Sequence, residues 1–368
     1  MQPEHFRTLL SSNGPYASVY FDDSHNTADA AAQLELKWRS LREELEQQGA
    51  DPGVTQNIEQ AVLDATPPVG RSGRGVIASI EGVLVNEHLI RPIGPVVRVS
   101  PLPYIVPVVE HGLDRPTYAV VIVDHEGGDI TLYRDGTSVS DTVDGDAYPV
   151  HKASGAESPG YGDPQRSAEG ARQQNIRAVA NRLTALVDDA APEVLFVVGE
   201  VQSRTDLVAQ LPERATELVV DVAVGARHSG FDDTDLQHAI YQEFQHRRLA
   251  AIDDAAQRFS AELGRGEGLA TEGLDGVTAA LRAGAVETLI IGDVGDRTVV
   301  AGDDLMTIAP NANVLSELGT AANQTLRADE ALPMAAIATG AALIRTDERI
   351  DPADGVAAVL RYALPAER

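Results

Sequence analysis

Apolar and polar residues follow one another along the chain in blocks that predict helices interleaved with strands. In the first block, residues 1–114, apolar side chains recur at three- and four-residue steps and predict a helix over residues 28–47 (Leu34, Trp38, Leu41, Leu45). A second helix is predicted over residues 56–65. Strands are predicted at Tyr16–Phe21 and, as a hairpin, at residues 75–80 and 83–90. The proline-punctuated stretch Pro92–Pro107 is expected to be extended chain that leaves this domain.

The second block, residues 115–263, opens with a predicted hairpin of the strands Tyr118–Asp124 and Ile130–Tyr133. An aperiodic stretch rich in Gly, Pro and Ser then predicts an exposed loop over residues 148–165. A long helix is expected to follow it, because apolar residues form one helical stripe (Ile176, Val179, Leu183, Leu186, Val187). A buried strand at Val194–Val198 and a very long helix at Asp232–Leu263 complete the block.

The third block, residues 264–368, begins at a glycine-rich hinge and alternates short helices with short strands. Such alternation within about 100 residues is typical of a small three-layer α/β/α domain. The sequence therefore predicts an α/β protein of three domains, divided at residues 114 and 263. The central domain is expected to hold a mixed, RNase H-like sheet and the C-terminal domain an α/β/α sandwich.

Composition and charge narrow the classes of function. The formal net charge is −27, and an acidic surface of this size opposes non-specific binding to DNA or RNA. The absence of cysteine excludes disulfide scaffolds, thiolate metal sites and cysteine nucleophiles. No apolar run approaches the length of a membrane span, and the N-terminus has no secretory pattern. We expect a cytoplasmic protein without a membrane, DNA, metal or cofactor partner.

The candidate binding site is the exposed loop together with the helix that follows it. Between His151 and Arg182 there are five cations against three anions, a local positive balance in an acidic chain. Arg166, Gln173 and Arg177 fall on nearly one stripe of that helix, away from Ile176. Lys152, one of only two lysines, favours contact with RNA phosphate at the start of the loop. An ordinary solvated helix face is the alternative interpretation.

Other motifs are weaker. The glycine–arginine stretch Gly70–Gly75 has the flexibility and charge of a phosphate loop, but it precedes a strand, and an ordinary basic turn is the favoured interpretation. Asp124, at the end of a buried strand, resembles the first carboxylate of a metal-dependent nuclease, although converging carboxylates are missing. His238 and His246 lie too far apart on their helix to share a metal. The acidic doublets, such as Asp22-Asp23, are expected at the surface or at caps.

The three blocks resemble archaeal and eukaryotic class-one release factors and their Pelota relatives. They resemble more closely the bacterial branch, which includes Balon-type ribosome hibernation factors. The resemblance rests on the order of hairpin, loop, long helix and strand in the second block, the likeness of the third block to the family's C-terminal domain, and two motifs. The first motif is Tyr148-Pro149-Val150-His151-Lys152 before the loop. The second is the closing stretch Gly355–Tyr362, which matches the family's glycine–aliphatic–Leu-Arg-Tyr signature.

This resemblance implies a ribosome-binding factor whose loop approaches the peptidyl transferase centre. The implied contacts to ribosomal RNA are shared by the loop and the next helix (His151, Lys152, Gly160, Tyr161, Gly162, Gln165, Arg166, Arg177). The C-terminal domain is implied to recruit a translational GTPase, which in bacteria would be elongation factor Tu.

Two departures from the family decide the expected function. The sequence contains no Gly-Gly-Gln, and its nearest equivalent is Gly160-Tyr161-Gly162-Asp163-Pro164-Gln165. The stop-codon motif Asn-Ile-Lys-Ser is also missing from the first block. We therefore expect a non-catalytic factor that occupies the ribosomal A site during hibernation or stress. The alternative is a peptidyl-tRNA hydrolase or rescue factor of the Vms type that uses Gln165.

Overall fold

The computed structural model describes residues 1–24, 30–64, 71–112, 116–134, 137–144, 164–222, 233–346 and 349–365. The chain divides into two compact units. The first unit consists of residues 1–114 with residues 247–368, and the second of residues 115–246. The first and third sequence blocks therefore share a unit, and their separation into independent domains stays a prediction.

The N-terminal part of the first unit is an antiparallel sheet with the strand order β3-β2-β1-β4. Helices α2 and α3 cover one face, where Trp38 and Ile58 pack against Val19 and Val76. The other face joins the large core that also contains the C-terminal residues of the unit. The elements are β1 (Tyr16–Asp22), β2 (Gly73–Ser79), β3 (Gly82–Leu89), β4 (Val96–Ser100), α1 (Arg7–Leu10), α2 (Ala30–Gln47), α3 (Pro52–Leu63) and α4 (Val106–His111), after a short 3-10 turn (Pro3–Phe6).

The expectation that Pro92–Pro107 leaves the domain as extended chain is wrong. Residues 96–100 form β4, which pairs with β1 in the register Val19↔Val97. The chain then turns into α4, with Pro107 in its first turn. Prolines lie just outside β4 and at the start of a helix, two places where a missing N–H group costs little. The prolines in this stretch are therefore compatible with a strand, β4, and a helix, α4.

The second unit contains the mixed sheet that the sequence predicts. The strand order is β7-β6-β5-β8-β9, in which β5 pairs antiparallel with β6 and parallel with β8. Helix α5 packs its apolar stripe on one face, and the first half of α8 packs on the other. The elements are β5 (Tyr118–Val123), β6 (Gly127–Arg134), β7 (Thr137–Asp144), β8 (Val194–Gly199), β9 (Val219–Val222), α5 (Pro164–Ala190), α6 (Val201–Val208), α7 (Glu213–Thr216) and α8 (Asp233–Arg265).

The C-terminal part of the first unit is a three-layer sandwich around a sheet of order β10-β16-β11-β15. Alternation along β16 sends Ala357 and Val359 toward Phe259 of α8, whereas Val356 and Ala358 face the core that contains α9 and α11. A small sheet of order β13-β12-β14 flanks it. The elements are β10 (Ala270–Glu272), β11 (Val286–Ile291), β12 (Thr298–Ala301), β13 (Ile308–Ala309), β14 (Gln324–Arg327), β15 (Ala342–Arg345), β16 (Val356–Leu360), α9 (Gly273–Arg282), α10 (Ala312–Glu317) and α11 (Ala328–Ala338), with a 3-10 turn at Ala353–Gly355.

The structure confirms the α/β class, the mixed central sheet and the C-terminal sandwich. One layer of that sandwich comes from the second half of α8, a helix that the sequence analysis assigned to the central domain. Among the residues described above, no helix is both long and apolar enough to cross a membrane.

Candidate functional site

The candidate loop is flanked by residues that lie at one edge of the central sheet. Strands β5 and β8 run parallel and end at this edge with Val123 and Gly199. Asp144, the last residue of β7, pairs with Gly127 at the same edge. Helix α5 runs back along the sheet, and the Nδ2 of Asn175 donates to the carbonyl of His125 over 3.1 Å. The carboxyl edge of parallel strands is where α/β folds commonly place ligand sites.

Five of the candidate residues lie outside the described residues, and their contacts stay predictions (His151, Lys152, Gly160, Tyr161, Gly162). Helix α5 begins at Pro164, so Gln165 and Arg166 lie in its first turn. The segment of α5 from Pro164 to Asn175 is about 16 Å long, at 1.5 Å per residue.

Arg177 is the candidate residue whose side chain the structure describes. It is exposed, whereas its neighbour Ile176 is buried against the central sheet. Gln173, one turn earlier, is exposed as well. The helical periodicity therefore separates Arg177 from the core as expected, and its guanidinium is available to an external anion.

Ion pairs reduce the number of unpaired positive charges in this region below the number that the sequence indicates. Arg172 pairs with Glu169 at 3.0 Å and with Asp206 of α6 at 2.8 Å. Arg182 forms an ion pair with Asp141 of β7. Two of the five cations thus form ion pairs that hold α5 to its neighbours. Binding of an external anion therefore depends mainly on the other three, Lys152, Arg166 and Arg177.

Asp124 has a structural role in the second unit. Its buried carboxylate accepts hydrogen bonds from the backbone N–H groups of Glu126 at 2.8 Å and Gly127 at 2.9 Å. These bonds close the turn between β5 and β6. Within the described ranges, no group of three or more His, Asp or Glu side chains is arranged to hold a metal ion.

Helix α5 also buries the amide of Asn175, which is not among the residues predicted from the sequence. Asn175 is 3% exposed, and its Oδ1 accepts no hydrogen bond from the residues that the structure describes. A buried acceptor without a partner is unusual in folded proteins. The available signal was an amide directly beside the buried stripe of α5, where an apolar side chain is expected.

The glycine–arginine stretch runs into β2, and Arg74 in that strand is not a free cation. That side chain is 1% exposed, and its guanidinium lies 3.6 Å from the buried carboxylate of Asp23. It also donates to Asn86 Oδ1 at 2.9 Å. Burial lowers the pKa of Arg74, and the charge of Asp23 opposes that shift. The expectation of a surface position is therefore wrong for Asp23, which is the partner of a buried arginine.

The closing stretch of the chain ties together two helix ends. Arg361 donates to the carbonyls of Gly284, after α9, and of Thr339 and Gly340, after α11. The Tyr362 hydroxyl donates to the Ala283 carbonyl over 2.6 Å. Gly355 has a φ of +72°, and a Cβ there would lie 2.0 Å from the Asp293 carbonyl oxygen. Gly355, Arg361 and Tyr362 of the closing signature therefore each have a structural role in this fold.

Sequence comparison places the chain in a family. The uncharacterized protein Rv2629 of Mycobacterium tuberculosis is 50% identical over 364 residues, which cover 99% of this chain and 97% of that protein. A model described as bacterial archaeo-eukaryotic release factor family 2 matches residues 117–265. The chain belongs to this release factor family. The matched region contains the central sheet, α5 and α8, and the closer likeness to Balon-type factors stays a prediction.

Solved structures of archaeal relatives of the release factor family align with most of the chain. A ribosome-bound archaeal Pelota is 15% identical, with 99% of this chain and 95% of that chain covered and a TM-score of 0.43. The Pelota of Archaeoglobus fulgidus is 14% identical, with 93% and 95% covered and a TM-score of 0.37. An archaeal translation termination factor is 16% identical, with 98% and 99% covered and a TM-score of 0.25.

Proposed function

We propose that this release factor homologue is a non-catalytic, cytoplasmic translation factor that occupies the ribosomal A site during hibernation or stress. The proposal rests on one observation. The chain matches a release factor family, but its sequence contains no Gly-Gly-Gln. In such a factor the glycines allow close approach to the peptidyl-tRNA ester, and the glutamine orders the attacking water. Without them the chain acts by exclusion, filling a site that a tRNA would otherwise enter.

The position of Gln165 supports a non-catalytic factor over a peptidyl-tRNA hydrolase. Gln165 follows Pro164 in the first turn of α5, and Asp163 precedes both in the sequence. A helical backbone restricts the approach of this amide to an ester, and a carboxylate beside it repels RNA phosphate. The hydrolase alternative requires Gln165 to act from this turn.

The charge distribution supports a local contact with RNA and a larger contact with protein. The exposed Arg177 and the cations Lys152 and Arg166 supply phosphate contacts in one region. The net charge of −27 opposes broad contact with RNA. By its resemblance to release factors, we assign the candidate loop to the peptidyl transferase centre and the first block to the decoding centre. The same resemblance implies that the C-terminal sandwich recruits a GTPase, elongation factor Tu.

The decisive experiment combines ribosome co-sedimentation with a peptide-release assay on stalled ribosomes. We expect the chain to co-sediment with idle ribosomes and to release no peptide. The double variant Lys152→Glu with Arg166→Glu should weaken co-sedimentation and make the remaining binding less dependent on salt, because phosphate contacts are lost. If the chain releases peptide and Gln165→Ala abolishes that release, the hydrolase alternative is established. Co-sedimentation unaffected by the double variant would contradict the assignment of the loop.

A further inference from the structure

A groove of about 530 Å³ lies on the N-terminal sheet domain of the first unit, away from the candidate loop in sequence. One wall is the stripe Lys37, Ser40, Leu41 and Glu44 of α2, and the other is the connection Pro92–Pro95 between β3 and β4. Phe21 and Asp22, at the end of β1, complete the lining. We call this feature the α2 groove. Its volume lies within the range of pockets that bind ligands.

The walls of the α2 groove are largely apolar. Leu41 and Ile93 present aliphatic surface inside the groove, and the two prolines of the connection stiffen the opposite wall. The groove therefore fits an aliphatic side chain held by an extended ligand.

The polar groups of the groove favour a cationic ligand over a phosphate. The Lys37 ammonium is already engaged: it donates to the Asp22 carbonyl at 2.7 Å and lies 3.6 Å from the Asp22 carboxylate. Burial raises the pKa of Asp22, but hydrogen bonds from Ser24 and the charge of Lys37 outweigh it and lower the pKa, so the carboxylate stays ionised. Glu44 is exposed and adds a second carboxylate to the lining.

The outer edge of β4, which follows Pro92–Pro95 along the chain, favours a polypeptide as the ligand. Among the described residues, strand β4 is the outermost strand of its sheet. On its outer side, the Gln48 amide donates to the Val97 carbonyl at 2.9 Å and accepts from the Val99 N–H at 3.0 Å. The Gln48 side chain thus makes the bonds that a neighbouring strand would make. An added strand in this position would satisfy the same two groups.

We propose that the α2 groove and the adjoining edge of β4 bind an extended segment of a basic protein. An aliphatic side chain of the segment enters between α2 and Pro92–Pro95, and an arginine or lysine pairs with Glu44. The backbone of the segment replaces Gln48 at Val97 and Val99. This inference does not depend on the proposed ribosomal function, because it concerns a different surface of the chain.

Fluorescence anisotropy with the full chain tests this site. The probe is a labelled peptide of alternating leucine and arginine, with a glutamate-for-arginine peptide and a single-stranded RNA of equal length as competitors. We expect the leucine–arginine peptide to bind, and Glu44→Lys to weaken it about five-fold or more. Ser40→Trp, which fills the groove, should weaken it similarly. Gln48→Ala should strengthen binding, because the peptide no longer has to displace the Gln48 side chain from the edge of β4.

The matched control is Glu43→Lys, which makes the same charge change at an exposed position of α2 that does not line the groove. It should change affinity by less than about two-fold, because surface charges away from the contact contribute little. Equal weakening by both charge reversals would overturn the proposal, since binding would then follow overall charge. Displacement of the peptide by RNA, or no binding by the peptide, would overturn it as well. Thermal unfolding of each variant identifies any loss of folding.

Discussion

Arg172 donates through Nη2 to the Asp206 carboxylate over 2.8 Å and so joins α5 to α6. Five residues later on the same helix, Arg177 is exposed. The two arginines lie on different faces of α5, because five residues correspond to about 500° of helical rotation. One helix thus carries a structural cation and a cation that is available to a ligand.

Substitution at these two positions should separate folding from binding. Arg177→Glu is expected to weaken ribosome co-sedimentation and to reduce the salt dependence of binding by about one charge, with no change in the urea midpoint. Arg172→Ala is expected to lower the free energy of unfolding by about 1 kcal/mol, since its pair is only partly exposed. Ribosome binding that falls for Arg172→Ala but not for Arg177→Glu would contradict this assignment.

Arg74 should affect stability and leave ribosome binding unchanged. Arg74→Met removes the charge that faces the buried carboxylate of Asp23, which is expected to cost about 3–5 kcal/mol. The double variant Asp23→Leu with Arg74→Met should recover much of that loss, because neither charge then remains buried. Urea unfolding of the two variants measures the difference. A phosphate-binding role would instead appear as a binding defect in the conservative variant Arg74→Lys.

Arg361 is expected to stabilise the C-terminal sandwich through the ends of α9 and α11. Arg361→Ala removes donors to three carbonyls and a positive charge that favours both helix ends, at a cost of about 1–2 kcal/mol. Tyr362→Phe is the matched comparison, because it removes one hydrogen bond and keeps the ring; it should cost about half as much. Equal stability of wild type and Arg361→Ala in urea would show that this cap is dispensable.

Much of the fold follows from apolar periodicity where one face of an element is buried. The stripe of α2 predicts its position because Trp38 and its neighbours contact a single core, and the same holds for Ile176 and Val179 of α5. The strand predicted at Tyr16–Phe21 is observed as β1, Tyr16–Asp22. Strand β4 and helix α4 are not predicted from the sequence, because the prolines in and around them are typical of loops.

The candidate site was less predictable than the fold, because it depends on partners distant in sequence. Nothing near Arg172 in the sequence indicates Asp206, and the burial of Arg74 against Asp23 requires the pairing of β1 with β2. A net charge counted along a segment cannot distinguish a paired arginine from a free one. The unpaired acceptor of Asn175 likewise appears only when the helix is placed on its sheet.

Stability should decrease as the pH rises through the titration of Glu330. This carboxyl is 2% exposed. Burial raises its pKa above the ordinary value of 4.5, and Arg98, whose Nη1 lies 3.2 Å away, opposes the shift without cancelling it. The folded state therefore holds this proton more tightly than the unfolded state. The resulting stabilisation is complete at low pH and is lost as the pH rises through the raised pKa.

Glu330→Gln removes this titration and should make the free energy of unfolding less dependent on pH above about 4.5. The control is Glu317→Gln, which removes an exposed carboxyl from the same unit. Urea unfolding at a series of pH values measures both slopes. An unchanged slope in Glu330→Gln would mean that Arg98 keeps the Glu330 carboxylate ionised in the folded chain throughout that range.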